Sequence, residues 1–478
     1  MSTFSGLNTA TTALWAQQRG LDVTGQNIAN INTAGYSRQR AELQSVGGNV
    51  VPAIYAISNQ VGQGVDADTV IRIRDAFLDG RAQIESASTA RMTAQDSTLA
   101  QIEQAFREPG TTGIAAKLTA VFTAWGDVAN HPTEDGARTA VLQSTATLVA
   151  ELRTTTANLD KQWVQTRDSL DVLAQDVNAK TQTIADLNKA VKRATQAGLP
   201  VNELADKRDA LVMDLATSIG ATSSPGEDGQ VNVSVAGAML VSGTNTLAIK
   251  AVGTEVPADA APGNVTFVTD PVNTPLSLGG TAGGALTALT ETIPSYQRQL
   301  NGVARDLASQ VNAVHTTGFD KNGDVGGDVF GDGPGSAAVD LANVTAANIT
   351  LRITETAKLA AASVGSVPPV DGAVSADAGN AAKLAAMTKS DTGAAVAYRK
   401  LIVNLGVEAS VATSNLKTQT VVAAQVDASR ESVSGVNLDE EMTNMLQFQH
   451  AYSAAARMIT AIDETLDVLI NRTGRVGL

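Results

Sequence analysis

Three histidines, His131, His315 and His450, are the side chains in this sequence best suited to hold a metal or move a proton near neutral pH. They lie far apart, and no HExxH pattern surrounds any of them, so each is expected to sit on the surface or pack within a helix. Asp320, Asn322, Asp324 and Asp328 follow the one-three-five-nine spacing of a calcium loop. The glycine that such a loop needs at its sixth position is Val325, and the chelating Glu at its twelfth is Gly331. A polar turn is the expectation there. Asp439, Glu440 and Glu441 put three carboxylates side by side, as paired acid–base chemistry would require. They also follow Asn437, and a capping Asn with acids in the first turn is what a helix N-terminus selects. The glycine pairs within 279–284 precede a helix without a lysine, and GxxxxGK[ST] is absent, so a hinge is expected rather than a phosphate cradle. No Ser/His/Asp set carries a local signature. The residues give no enzyme, no cofactor and no metal site.

Composition narrows the alternatives. The chain has 478 residues, with 34 basic and 48 acidic side chains and a net charge of −14. An acidic chain without a basic block repels phosphate backbones, so nucleic acid is not an expected partner. The length predicts about three domains. Cysteine is absent, which removes disulfides and thiolate ligands. No apolar run approaches the ~18 residues of a membrane span. The opening MSTFSGLNTATTALW has neither the basic start nor the apolar centre of a secretory signal, so any export is expected to bypass a cleaved signal peptide.

The elements that would organise such a chain are read from its spacing. Leu7, Leu14, Leu21 and Ile28 recur every seven residues near one end. Leu438, Met445, Tyr452, Ile459 and Leu466 do so near the other, followed by Phe448, Ile462 and Leu469 on a second row. Such repeats draw an apolar stripe down a helix and ask for a partner helix. These residues are the expected interface, each end serving as partner of the other or of neighbouring copies. Among residues 1–31 only Arg19 and Asp22 are charged, so the polar face can be buried between like copies without stacking identical charges.

Proline placement draws the rest of the map, because proline breaks helix interiors. There is none before Pro52, between Pro132 and Pro200, or after Pro369. A helix is expected over 4–31, then extended chain over 36–74, where Val51, Ala53, Tyr55 and Ile57 alternate. Phe77, Ile84, Leu99, Ile102 and Phe106 predict a helix ending before Pro109-Gly110. Trp163, Leu170, Val177, Ile184 and Val191 mark a long one over about 135–196. Five of the thirteen prolines fall in 221–278, and Val231, Val233 and Val235 alternate there, which predicts a small inserted β domain. Leu286 to Val314 steps by threes and fours as a helix, 318–378 is irregular, and helices follow over about 391–433 and from Leu438 to about Asn471.

Two stretches carry more than periodicity. Asn27, Ile28, Ala29, Asn30, Ile31, Asn32, Thr33, Ala34, Gly35 and Tyr36 together resemble a signature near the N-terminus of bacterial flagellar rod, hook and junction proteins. Ser37-Arg38-Gln39 narrows the likeness, since hook proteins continue differently. Ser434 to Glu441, with Met445 to Gln449 and Tyr452, closely resembles the C-terminus of the hook-associated protein 1 family, whose members join hook to filament. Asn202 to Asp209 and Gly318 to Gly323 are similar to that family too. This chain departs from it by having one β insertion where larger relatives carry two outer domains. It also continues past Asn471 as Arg-Thr-Gly-Arg-Val-Gly-Leu.

The resemblance implies a mainly α protein with β insertions: 1–35 and 436–478 as a paired coiled-coil inner core and 36–76 as an extended β connector. It further implies 77–220 with 279–435 as a central helical domain and 221–278 as an outer β domain. Self-assembly into a ring or tube is implied, with hook protein and a second hook–filament junction protein as axial neighbours. So are export through the flagellar type III apparatus, a cytoplasmic chaperone on the C-terminal helix, and a final place in the extracellular flagellum. A hook or rod subunit is the alternative within the family. A signalling coiled coil is the alternative outside it, opposed by the β insertion.

Overall fold

The computed structural model describes residues 3–46, 62–257, 264–333, 339–365 and 376–472. Ten α-helices appear among them: α1 Thr3–Ala29, α2 Ala76–Phe106, α3 Ile114–Asn130, α4 Asp135–Gln196, α5 Asn202–Ile219, α6 Gly280–Thr287, α7 Ile293–His315, α8 Gly379–Ala385, α9 Ala394–Ser434 and α10 Leu438–Asp467. The strands are short. β1 Gln39–Ala41, β2 Gln44–Val46, β3 Gly64–Asp66 and β4 Val70–Arg72 follow α1; β5 Thr222–Pro225, β6 Val231–Val235, β7 Ala238–Ser242 and β8 Asn245–Thr246 follow α5. β9 Ala248–Gly253, β10 Val265–Asp270 and β11 Pro275–Leu276 precede α6, and β12 Phe330–Gly331 and β13 Thr350–Leu351 lie beyond α7. The fold is mainly α with small sheets. The alternation over 51–57 and the tail over 473–478 lie outside the described residues.

The chain forms two compact units, the described parts of 1–88, 177–248 and 419–478 in one, and of 89–176 and 249–418 in the other. These divide the chain differently from the domains read out of the sequence. In particular, residues 221–278 do not form one inserted domain. β5-β6-β7-β8 make a four-stranded antiparallel sheet in the first unit, and β11-β10-β9 make a three-stranded sheet in the second.

In the first unit, Val233, Val235, Leu240 and Val241 bury the inner face of the four-stranded sheet. Asn188 of α4 is fully buried beneath it. Its amide donates to the carbonyls of Val231 and Gly243 at 2.7 and 2.6 Å and accepts from the Val231 N–H at 3.0 Å. Arg208 of α5 adds bonds to Asn188 and to the Gly229 carbonyl at 3.3 and 2.8 Å. A period-2 pattern shows that a sheet forms, but these polar pegs make it part of the helical body.

The long helix matches its expected span, and its stripe of Trp163, Leu170, Val177, Ile184 and Val191 is buried throughout. The stripe expected on α2 is buried only in its second half. Leu99, Ile102 and Phe106 are inside, whereas Phe77 and Ile84 are 73% and 60% exposed. α2 begins at an unanticipated cap, the Asp75 carboxylate accepting from the N–H groups of Phe77 and Leu78.

In the second unit, α3 was not foreseen, although Ile114, Leu118, Val121, Phe122, Trp125 and Val128 keep helical spacing and are all buried. The single helix expected over 286–314 is broken by a π turn at Ala288–Thr292. Pro294, in the first turn of α7, has no N–H for the normal ladder, and a widened turn accommodates the missing bond. The glycine pairs ahead of it are not a hinge. A Cβ on Gly284 would stand 2.6 Å from Ala94 Cβ and 2.8 Å from the Arg91 carbonyl oxygen, so this is a close helix crossing that admits only glycine.

A candidate assembly site where the two ends of the chain meet

α1 and α10 pack antiparallel in one register. Asn27 meets Glu441, Gly20 meets Phe448, and Gly6 meets Ile462. Each step of seven or fourteen back along α1 is answered by the same step forward along α10. The row of α1 that faces its partner therefore runs one residue ahead of the leucines, through Gly6, Gly20 and Asn27. Leu7, Leu14, Leu21 and Ile28 lie about 100° round the helix. They are half-buried and flank the contact rather than fill it. Small residues at the centre let the axes approach, and Phe448 lies directly over Gly20. On α10, Met445, Phe448, Tyr452, Ile459, Ile462 and Leu466 are half-buried, with Ala455 buried among them. Leu438 and Leu469 are more open, 45% and 54% exposed.

The signature residues close the end of this pair. α1 stops at Ala29, and Asn30 accepts from the Thr33 hydroxyl at 3.1 Å while its amide donates to the Gln26 carbonyl at 2.9 Å. Gly35 has φ +80°, a left-handed conformation that a side chain would strain. The chain thereby turns back, and Tyr36 donates its hydroxyl to Asn27 Oδ1 at 2.8 Å. Asn27 is almost fully buried, and all four of its hydrogen-bonding positions are filled. Oδ1 also accepts from the Gln39 N–H at 2.9 Å, and Nδ2 donates to the Gln39 carbonyl at 2.9 Å and to Glu441 Oε2 at 3.0 Å. Burial, with the nearby carboxylates of Asp206, Glu441 and Glu203, raises the Tyr36 pKa to about 12, so the phenol remains a donor. Ile28 is half-buried, and Ala29, Asn32 and Thr33 are exposed.

Arg38 completes the joint. Its Nε donates to Glu441 Oε1 at 2.7 Å, its NH1 to Glu440 Oε2 at 2.7 Å, and its backbone N–H to the Ser434 carbonyl at 2.9 Å. Glu441 is buried, and charge-assisted bonds of this length offset the cost of taking its carboxylate out of water. Asn437 caps α10 as expected, accepting from the Asp439 N–H at 2.9 Å. Two of the three carboxylates beyond the cap have a second task, holding Arg38. Beneath them an ionic layer ties the turn to α5. Arg72 bridges Asp206 and Asp209 at 2.8 Å each, Arg74 holds Asp79 at 2.9 Å and also Asp209, and Asp206 accepts from the Ser37 N–H at 3.3 Å. Spacing gave no sign of Gly20, Arg38 or Glu441 as joint residues. Arg38 and Glu441 lay inside stretches singled out for their resemblance, but no periodicity links side chains 403 positions apart.

The residues read first for chemistry have structural posts. His315 is fully buried, its Nδ1 donating to the Gly327 carbonyl at 2.6 Å and its Nε2 accepting from the Ala360 N–H at 2.8 Å. That fixes a neutral tautomer, and burial lowers its pKa. His131 ends α3, and His450 is exposed on α10. The loop with calcium-like spacing is a tight turn: Asp320 Oδ1 accepts from the N–H groups of Asn322 and Asp324 at 2.8 and 3.0 Å. The Lys358 ammonium stands 3.3 Å from both Asp320 and Asp324, where a cation would be drawn. Among the described residues no group of three or more His, Cys, Asp or Glu could hold a metal ion, and no helix is long and apolar enough to cross a membrane.

Comparison with known proteins assigns both halves of this joint and the body between them. Residues 99–330 match the family model described as the flagellar hook-associated protein FlgK helical domain. Residues 7–36 match the flagella basal body rod protein model, and 429–472 the C-terminal model of the flagellar basal body rod FlgEFG proteins. The flagellar hook-associated protein 1 of Bacillus subtilis is 30% identical over 100% of this chain and 99% of its own length. That of Escherichia coli is 25% identical over 97% and 99%. The solved structure of the flagellar hook junction protein FlgK from Burkholderia pseudomallei shares the fold, with a TM-score of 0.62 at 18% identity, covering 75% of this chain and 100% of that one. A full-length relative at this identity, with its ends joined through the signature residues, places the chain in the flagellar hook-associated protein 1 family of flagellar structural proteins.

Proposed function

We propose that this protein is the subunit that connects hook to filament in the bacterial flagellum, built into the axial tube as a ring or short tubular segment. The observation that carries this is the joint itself. Two chain ends more than four hundred residues apart are held in one register by buried polar bonds, which suits a subunit whose ends must present a fixed surface to neighbours. α10 also keeps an uncovered apolar row, Leu438, Met442 and Leu446, each 45–55% exposed. A row of that kind on a helix already paired on its other side supports further contact with copies of the same chain. Hook protein and a second junction protein are the axial neighbours in this reading. Before export through the type III apparatus, a cytoplasmic chaperone masks the C-terminal helix.

Imaging cells that lack the gene tests it. Hooks without filaments, with filament subunits lost to the medium, are expected. Normal filaments would overturn the reading, and absent hooks would favour a rod or hook subunit. That second reading draws on a local likeness, 41% identity over 83 residues, to the flagellar basal-body rod protein FlgG of Caulobacter vibrioides.

A further inference from the structure

The apolar repeat does not choose its own register. A slip of seven residues between α1 and α10 would again set stripe against stripe, since both ends repeat at seven. We propose that Glu441 is the register lock of the terminal helix pair, with Asn27 and Arg38 as its seat. This rests on reading the two helices as the paired ends of an axial subunit. Among the described residues Glu441 is the only buried charged group on α10. Both of its oxygens are used, one by Arg38 and one by Asn27. Asn27 can offer that donor because Tyr36 and Gln39 occupy its other positions, so the seat exists only once the chain has turned at Gly35. A slip of seven in one direction brings Glu441 against Gly20, which has no side chain to receive it. A slip in the other carries it past the end of α1 and sets Phe448 against Asn27. Either way a carboxylate or an amide is left buried without its partners, and that cost adds to moving Phe448 off Gly20 in separating registers in which the flanking leucines find equivalent neighbours.

The chain has no cysteine, so introduced cysteines report the register directly. In the full-length purified protein, Gly6→Cys is combined in turn with Ile462→Cys, Ala455→Cys or Leu469→Cys and treated with a short bis-maleimide. The native register joins 6 to 462, and the two slipped registers join 6 to 455 or to 469. Without further change, the 6–462 product is expected to exceed the others by about tenfold or more. Adding Glu441→Ala should spread the product over all three pairs, and Glu441→Gln, which keeps an acceptor for Asn27 but loses the charge, should do so less. An unchanged 6–462 preference in both variants would overturn the lock. Loss of all three products together would also overturn it, because a register lock leaves the helices paired. Absence of the 6–462 product before Glu441 is altered would overturn the pairing it rests on. None of these outcomes depends on a flagellum, so the junction reading stands or falls separately in the deletion strain.

Discussion

Phe448 lies on Gly20 so closely that a Cβ built on the glycine would stand 2.6 Å from its ring. The pair is a knob over a bare patch of helix, halfway along the contact between the two ends of the chain. Gly20→Val should force the helices apart at a cost of about 1–3 kcal/mol. Gly20→Ala should cost less, because alanine returns about 1 kcal/mol of helix propensity against a smaller overlap. Limited proteolysis of residues 436–472 ranks the three chains: cleavage fastest in Gly20→Val and slowest in the unaltered protein.

Asn27 should tolerate neither a smaller nor a charged replacement. Asn27→Ala leaves the Tyr36 hydroxyl, both backbone groups of Gln39 and one oxygen of Glu441 without their partner. Unmade buried bonds of this kind cost about 1–3 kcal/mol each where water does not replace the lost partner. Asn27→Asp keeps the shape yet places a carboxylate against Glu441, and should be at least as damaging. Denaturant midpoints followed by tyrosine and tryptophan fluorescence measure both.

The face of α10 toward α1 should matter more than its outer face. Ile459 is half-buried in the contact and Arg457 is exposed beside it. Under the proposed function, Ile459→Asp should weaken both filament attachment and capture by the chaperone proposed for this helix, since an unpaired charge is costly in either interface. Arg457→Asp should leave both close to normal. Pull-down with the chaperone and an attachment assay decide it, and equal tolerance of the two would remove the idea of a shared face.

Acid should loosen the second compact unit through His315. Burial holds its folded pKa below the unfolded value near 6.5, and both ring nitrogens are committed in the neutral form. The unfolded chain therefore takes the proton first. The stabilisation is fully present above the unfolded pKa and is lost as pH falls through the folded one. His315→Gln should flatten the fall of melting temperature as pH drops below about 6.5, at the cost of a lower plateau above it. A slope unchanged by the substitution would assign the fall to other groups.

Replacing residues 221–278 with a short linker should destabilise both units. The deletion would remove Val233 and Leu240, which bury the inner face of the four-stranded sheet, and leave Asn188 without Val231 and Gly243. It would also take Phe267 and Leu276, both buried, from the second unit. A large drop in melting temperature is expected. Native stability in the shortened chain would mean that the two sheets are accessories.

Helix positions were legible because proline and periodicity are local. α4 spans the residues its heptads and proline-free gap indicate, and α10 starts at the cap that Asn437 announces. The likeness of residues 27–36 and 434–441 to one family was also in the sequence, and with it the association of the two ends. What the sequence left open were relationships between residues distant along the chain. The leucines of α1 mark a helix, but the face that meets α10 runs beside them through glycine and asparagine, because close approach of two helices needs small residues at the centre and bulky ones at the edge. Asp439 to Glu441 read as helix-end acids, and only the turn at Gly35 brings Arg38 to them. The alternation of Val231, Val233 and Val235 announced strands, yet Asn188 and Arg208 decide that the sheet belongs to the helical body. A stripe specifies that a partner is needed. Which partner, and in which register, is set by buried polar groups whose mates exist only after the chain has folded.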